Sequence, residues 1–248
     1  MPGTPIVLLH GFPLDHRMWT DVAARLGGER RVLLPEIPTS ADRLAEVGPT
    51  LDDAADRIAD QLAAAGVRRA VVAGLSMGGY VALALLDRHP DLVAGLALVD
   101  TKATADAPEA RERRLAVAAE VERSGTVDAV RGMVGSVLGE TTRTARPEVG
   151  ERVAAWIDAQ PPARVAWSQR AMAARVDRTE VLRRYRGPVT VVVGDEDTVT
   201  GVDAAEELAR VADAQLVVVP RVGHLSAVED PGSVAAALAE LAQRVDRG

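Results

Sequence analysis

Ser76 is the residue of this chain whose surroundings most clearly point to chemistry. It lies in the pattern Gly74-Leu75-Ser76-Met77-Gly78, which is G-x-S-x-G, between an apolar run and a helical segment. Small residues at this spacing allow a strand and a helix to approach closely, so that a serine on the tight turn between them projects outward. The helix that follows also places backbone N–H groups and its positive dipole end near the serine. The pattern therefore predicts a nucleophilic serine.

A serine hydroxyl needs a base within hydrogen-bond reach, and the chain has only four histidines. His10 ends the first predicted strand, and His16 lies in the loop after it. His89 closes the helix that begins after Ser76, about 20 Å away at roughly 1.5 Å per residue. His224 follows the last predicted strand, and loops after parallel strands gather at one sheet edge. Elimination favours His224 as the base.

The histidine in turn needs a carboxylate to orient it. The stretch after the fifth predicted strand supplies Asp195, Glu196 and Asp197, some of which could instead cap the next helix. Asp100 follows the fourth predicted strand and belongs to the same sheet edge. Spacing alone does not choose among Asp195, Asp197 and Asp100.

A tetrahedral intermediate also needs two N–H donors for its oxyanion. The residue after the nucleophile, Met77, is the natural first donor. The loop "LLHGFP" (8–13) offers Phe12 behind Gly11 as the second. His10 is then expected to organise this loop rather than to take part in catalysis.

Short apolar runs alternate with helical segments along the chain and must position these residues. Six Val- and Leu-rich runs predict strands buried on both faces, at 5–10, 31–36, 69–74, 95–100, 189–194 and 215–220. The alternation predicts a doubly wound, mainly parallel α/β sheet of about six strands in a single domain, 1–248. Residues 101–187 contain no convincing strand and predict a helical cap insertion. Trp156 and Trp167 are expected to pack this insertion onto the body, with substrate contact as the alternative.

The composition excludes several classes of protein. The net charge is −7 with acidic and basic residues interspersed, which argues against nucleic-acid binding. Cysteine is absent, so disulfides and thiolate metal sites are excluded. No run has the roughly 20 apolar residues that cross a bilayer, and no signal peptide is recognisable. We expect a soluble, cytoplasmic protein that does not bind membranes. No metal-ligand spacing or phosphate loop is present, so no metal or cofactor is expected.

Taken together, these segments resemble the α/β-hydrolase fold family. "LLHGFPLDHRMW" is similar to that family's oxyanion segment, "GLSMGGYVAL" to its nucleophile elbow, and "VGDEDTVTG" and "VGHLSAVEDP" to its acid and base loops. The order Ser, Asp, His is also the family's. The family's acid typically lies three residues after the strand-ending glycine, so the resemblance selects Asp197, and the insertion lies where such enzymes carry a cap. A second resemblance is to 3-oxoadipate enol-lactonases and related esterases.

Two features depart from the family pattern. The family usually opens with a β-hairpin, which is missing here, so the strand at 31–36 would be a bare sheet edge. Because unpaired edges invite association, we expect a covering loop or a homodimer contact there. In "LLPEIPTSADRL", Glu36 and a Pro/Thr/Ser loop replace the family's usual Asp and Arg-Gly-x-Gly turn.

The resulting hypothesis is a serine hydrolase of a small carboxylic ester or lactone that uses Ser76, His224 and Asp197. Other chemistry on the same fold, such as C–C bond hydrolysis, perhydrolysis or a lyase reaction, is compatible with the same residues. A non-catalytic ligand receptor is the third reading, although it would not need a nucleophile and a base. Several insertion arginines are candidates to contact a substrate, and the sequence does not select one: Arg111, Arg113, Arg114, Arg164, Arg170 and Arg175.

Overall fold

A computed structural model describes residues 3–28, 30–37 and 49–248 of the chain. Six strands form one sheet in the order β2-β1-β3-β4-β5-β6, and every neighbouring pair is parallel. The first strand, β1, lies next to the edge strand β2, and the remaining strands follow in chain order on its other side. The predicted doubly wound parallel sheet is confirmed. The strands are β1 (Ile6–Leu9), β2 (Val32–Leu33), β3 (Ala70–Leu75), β4 (Val93–Val99), β5 (Val189–Gly194) and β6 (Gln215–Val219).

Burial follows the position of each strand in the sheet. Every residue of β1, β3, β4 and β5 is buried, which explains why these strands are continuous apolar runs without alternation. The edge strands β2 and β6 are more exposed. β2 pairs with β1 over two residues only, so it is shorter than the predicted strand 31–36. Pro35 has no N–H to contribute to a longer ladder.

Helices cover the sheet. They are α1 (Thr20–Leu26), α2 (Leu51–Ala64), α3 (Met77–Arg88), α4 (Pro108–Ser124), α5 (Asp128–Arg131), α6 (Val134–Val137), α7 (Glu140–Ala145), α8 (Pro147–Asp158), α9 (Pro162–Ala173), α10 (Thr179–Arg184), α11 (Gly201–Ala212), α12 (Ser226–Glu229) and α13 (Pro231–Arg247), with short 3-10 turns at His16–Trp19 and Pro90–Leu92. Local capping explains several boundaries. Thr50 accepts a hydrogen bond from the N–H of Asp53 at the start of α2, and α4 ends at Gly125 in the left-handed conformation.

Residues 100–188, all of which the structure describes, contain helices α4 to α10 and no strand. Helix α9 packs against α4. Trp167 is buried in the hydrophobic core, and Trp156 packs against that core with the Arg152 guanidinium over its ring. This helical segment therefore occupies the predicted insertion between β4 and β5, while the assignment of 101–187 as a cap stays a prediction.

The loop predicted to cover the β2 edge falls largely on residues 38–48, which lie outside the described residues. Across the part of the chain that the structure describes, no helix is long and apolar enough to span a membrane.

Helix α3 approaches β1 so closely that Gly78 has no room for a side chain. A Cβ on Gly78 would lie 2.1 Å from the carbonyl oxygen of Leu9, and one on Gly74 would lie 2.1 Å from the carbonyl oxygen of Gly78. In both cases the obstacle is backbone, which cannot rotate away. The first turn of α3 thus packs directly on the strand ends.

We predict that Gly78→Ala lowers the free energy of unfolding by about 3 kcal/mol or more, because helix and strand must separate to admit the methyl group. Gly150→Ala is the matched control, since Gly150 lies within α8 and a Cβ added there would be 3.8 Å from its nearest neighbouring atom. That change should be neutral or stabilising by about 0.5 kcal/mol. Urea unfolding measures both, and equal midpoints for Gly78→Ala and wild type would contradict the packing argument.

Candidate active site

Ser76 joins the end of β3 to the start of α3 in a strained backbone conformation. Its φ is 52° and its ψ is −112°, a region that non-glycine residues rarely adopt. Two contacts to the neighbouring strand and its loop hold the turn. The Ser76 N–H donates to the Val99 carbonyl at 2.9 Å, and the Thr101 hydroxyl donates to the Ser76 carbonyl at 2.8 Å. The half-buried serine side chain is therefore presented from a fixed backbone.

His224 lies in the loop after β6 and reaches the serine. Its Nε2 is 2.9 Å from Ser76 Oγ, and its Nδ1 is 2.9 Å from Asp197 Oδ2. With the carboxylate on one side, the imidazole donates from Nδ1 and leaves Nε2 to accept the serine proton. The ring is buried. The predicted nucleophile, base and acid thus form one continuous hydrogen-bonded chain.

Asp197 is held as a carboxylate by several donors. Its Oδ1 accepts from the N–H groups of Val199 and Thr200 at 2.7 and 3.1 Å, and its Oδ2 accepts from the Thr200 hydroxyl as well as from His224. Burial alone would raise the pKa of this carboxyl. The His224 hydrogen bond and charge, together with Thr200 and Val199, outweigh burial and lower the pKa to about 2. Asp197 is therefore ionised at neutral pH.

The two other candidate acids contact different groups. Asp195 Oδ1 accepts from the N–H of Arg221 at 2.6 Å, which ties the β5 loop to the β6 loop. Asp100 is fully buried and accepts from the N–H of Gly194 at 3.1 Å and from the N–H and hydroxyl of Ser226 at 3.0 and 2.6 Å. Burial, reinforced by the negative charge of Asp197, raises the pKa of Asp100 to about 7. Only Asp197 of the three contacts the imidazole.

Glu229 supports the histidine loop and was not identified from the sequence. Its buried carboxylate accepts from the N–H groups of Gly223 and Leu225, on either side of His224, at 3.0 and 3.3 Å. The same carboxylate accepts from the N–H of Gly139, in the segment between β4 and β5, at 2.9 Å. An acid five residues after a candidate base is a weak signal, because nothing in the spacing shows that the side chain turns back toward the loop.

The predicted oxyanion donors flank the serine. Met77 is the first residue of α3, where N–H groups have no intrahelical acceptor. The loop that carries Phe12 lies against the turn at Ser76. A Cβ added to Gly11 in this loop would be only 3.5 Å from the Cβ of Ser76. Among the hydrogen bonds of the described residues, none uses the N–H of Phe12 or Met77. Both groups are therefore available to an incoming oxygen atom.

His10 organises this loop, as predicted. Its Nδ1 donates to the Gly11 carbonyl at 3.2 Å, and its Nε2 accepts from the N–H of Ile37 at 2.8 Å and lies 2.8 Å from Nη2 of Arg164. Burial, reinforced by the positive charge of Arg164, lowers the pKa of His10 to about 4. The ring is thus neutral at physiological pH.

A cluster of possible metal ligands lies beside this loop. Oxygen and nitrogen atoms of Asp15, His16 and Glu36 approach one another within 4.8 Å. Arginines already neutralise both acids, since Asp15 pairs with Arg17 and Glu36 pairs with Arg164. We assign no metal to this cluster, and the expectation that the enzyme needs none stays a prediction.

Because the pKa of His10 lies below its ordinary value of 6.5, the unfolded chain binds the additional proton between pH about 4 and 6.5. The stability that neutral His10 contributes is therefore complete above pH 6.5 and is lost as the pH falls to 4. We predict that the wild-type advantage over His10→Asn shrinks by about 3 kcal/mol across this range. Denaturant unfolding of both proteins at several pH values measures this change in the stability difference. Asp100 titrates in both proteins, so its contribution largely cancels in the difference, and a pH-independent difference would contradict the assignment.

Comparisons with known proteins identify relatives of this chain. The model of the alpha/beta hydrolase family matches residues 6–237. A 2-succinyl-6-hydroxy-2,4-cyclohexadiene-1-carboxylate synthase of Enterobacter sp. (strain 638) is 29% identical, over 97% of this chain and 92% of the relative. A pimeloyl-[acyl-carrier protein] methyl ester esterase of Neisseria meningitidis serogroup B is 28% identical, over 88% and 85% of the two chains.

Solved structures extend the likeness to three dimensions. A thermophilic esterase from Thermogutta terrifontis, solved with malate bound, superposes with a TM-score of 0.89 at 35% identity, covering 98% of this chain and 91% of that one. The enol-lactonase from Burkholderia xenovorans LB400 gives a TM-score of 0.82 at 22% identity, covering 96% and 91%, and shows the shared fold. We conclude that the chain belongs to the alpha/beta hydrolase family and is a hydrolase enzyme of that family.

Proposed function

We propose that this hydrolase cleaves a small carboxylic ester or lactone through a covalent acyl-enzyme on Ser76. The observation that carries the proposal is the pair of 2.9 Å contacts that joins Ser76 to His224 and His224 to Asp197. A serine hydroxyl linked in this way can lose its proton as it attacks, which a free hydroxyl at neutral pH cannot do readily. Similarity to the esterases described above supports the same reaction class.

In the first step, the Ser76 oxygen attacks the substrate carbonyl carbon while its proton moves to Nε2 of His224. Asp197 stabilises the imidazolium that forms, and its low pKa keeps it a carboxylate throughout. The carbonyl electron pair moves onto oxygen, and the N–H groups of Phe12 and Met77 stabilise that oxyanion. The N-terminus of α3 adds the favourable end of its dipole.

In the second step, the tetrahedral intermediate collapses and the bond to the leaving oxygen breaks. His224 returns its proton to that oxygen, so an alcohol departs, or the ring opens in a lactone. Water then attacks the acyl-enzyme with His224 again as the base, which releases the acid and restores Ser76. These steps use no metal or cofactor.

A lyase reaction is the second candidate, because the relative from Enterobacter is named a synthase rather than an esterase. The two readings differ in the products. An ester hydrolase adds water to form an acid and an alcohol, whereas a lyase breaks a bond by elimination and adds no water. A small-molecule substrate, a cytoplasmic location, the absence of nucleic-acid and membrane partners, and pairing of two copies at the β2 edge all stay predictions.

The proposal predicts that Ser76→Ala lowers kcat for p-nitrophenyl acetate by about 10⁴-fold or more, since the acyl-enzyme can no longer form. Ser136→Ala is the control, because Ser136 is an exposed serine on α6. Release of p-nitrophenol measures both. Hydrolysis by Ser76→Ala at the rate of the Ser136→Ala control would exclude the covalent mechanism.

The choice of acid gives a separate prediction. Asp197→Asn should lower kcat by about 10³- to 10⁴-fold with the fold intact, because the amide favours the wrong imidazole tautomer. Asp195→Asn should stay within a few-fold of wild type, since an amide oxygen can still accept the Arg221 N–H. Steady-state kinetics and circular dichroism on both variants test this. The assignment of the acid is wrong if the two variants lose equal activity.

A further inference from the structure

A small cavity lies directly beside the proposed oxyanion donors. Its volume is about 10 Å³, close to the room that one water molecule needs. Phe12, Leu14 and Met77 form its apolar side, and Gln160, Arg164 and Ser168 bring polar atoms from α9 and the turn before it. Among the described residues that line the cavity, Arg164 alone is charged.

Two of the three guanidinium nitrogens of Arg164 are hydrogen-bonded to described residues. Its Nε donates to the Ile37 carbonyl at 3.2 Å, and its Nη2 contacts His10 and Glu36. No hydrogen bond with a described residue uses Nη1. This nitrogen keeps donor capacity, and the guanidinium is held in place by its other contacts, so little entropy is lost when a ligand binds.

Ser168 adds a second donor to the same wall. It lies four residues after Arg164 on α9, so both side chains project from the same face of the helix. Ser168 is buried, and its hydroxyl has no hydrogen-bond partner among the described residues. The Gln160 amide nitrogen cannot serve as a donor, because it already donates to Asp15 and to the Trp156 carbonyl. Among the described residues of this wall, Arg164 and Ser168 are the ones with a donor to spare.

The residues that line the cavity indicate which part of a bound substrate it would face. His224 must protonate the leaving oxygen, so the leaving group lies beside His224. No residue of the His224 loop lines the cavity, whereas Phe12 and Met77 do. A group that enters the cavity therefore belongs to the acyl part of the substrate.

We propose that Arg164 and Ser168 bind a carboxylate on the acyl part of the substrate, so that the enzyme prefers half-esters of short dicarboxylic acids. A carboxylate accepts from both donors, and a guanidinium forms its strongest hydrogen bonds with an anion. Because Arg164 and Ser168 line the same cavity as Phe12 and Met77, the arm between the carboxylate and the reacting carbonyl is short. This inference rests on the proposed ester hydrolysis and names its substrate class.

The test compares isosteric substrates. Monomethyl succinate, glutarate and adipate carry a carboxylate, and the methyl esters of the corresponding ω-amides carry a neutral group of the same shape. At pH 7.5 the wild type should show a kcat/KM ratio, acid over amide, of about 10 or more for the best chain length. A ratio of one or less at every chain length overturns the proposal.

Arg164→Gln should bring this ratio close to one. A structural role of Arg164 beside His10 would lower kcat/KM for both substrates and leave the ratio unchanged, so a preserved ratio also overturns the proposal. Arg170→Gln is the matched control on α9, because Arg170 pairs with Glu122 at the surface. It should keep the wild-type ratio, and an equal loss of preference in this control would show a general charge effect and overturn the assignment.

If Arg164→Gln does not fold, Ser168→Ala takes its place. We expect this variant to lower the acid-over-amide ratio about threefold, and an unchanged ratio counts against the proposal.

A binding measurement separates this inference from the proposed function. If the wild type hydrolyses neither ester nor amide-ester, ester hydrolysis is wrong, and titration calorimetry with glutarate still tests the carboxylate site. Binding of glutarate that weakens about tenfold in Arg164→Gln supports the site. Absent binding, or binding that Arg164→Gln does not change, contradicts it.

Discussion

The direct contact between the first turn of α3 and the backbone of β1 is the constraint on which the site depends. Gly78 leaves no space for even one methyl group between helix and strand, since that methyl would lie 2.1 Å from the Leu9 carbonyl oxygen. The chain can then turn from β3 into α3 within one strained residue, Ser76. Because the sheet is parallel, the loops after β1, β5 and β6 end at the same edge. Phe12, Asp197 and His224 meet the serine there without any of them being close to it in sequence.

Acidic residues at this edge have different physical tasks. Asp197 faces the imidazole and stays ionised, whereas Asp100, close to Asp197 and fully buried, has its pKa raised to about 7. Burial disfavours the charged form of Asp100 and the negative charge of Asp197 disfavours it further, whereas hydrogen bonds from His224 and Thr200 favour the charged form of Asp197. Asp195 and Glu229 instead accept backbone N–H groups of the loop that carries His224. The loop is thus held by one exposed acceptor, Asp195, and one buried acceptor, Glu229, while Asp197 contacts the imidazole itself.

The sequence predicted most of this arrangement because much of it is local. Apolar runs marked the buried strands, and the elbow glycines marked Ser76. The family resemblance selected Asp197 where spacing alone had left Asp195 and Asp100 open. What could not be predicted depends on contacts between distant segments: the turn of Glu229 toward Gly223 and Gly139, the burial of Asp100 under Ser226, and the choice of Arg164 among the arginines of the insertion. β2 was expected to be longer because an apolar run does not show how far a neighbour pairs with it.

Reaction with a fluorophosphonate, followed by peptide mapping, shows whether Ser76 is the activated nucleophile of this enzyme. The reagent phosphonylates only a serine that is activated as a nucleophile, so it reports on the hydrogen-bonded chain of Ser76, His224 and Asp197 as a working unit. We expect one phosphonyl group per chain, carried by Ser76, with ester hydrolysis lost in proportion to labelling. A label on another residue, or fully labelled protein that still hydrolyses esters, would contradict it.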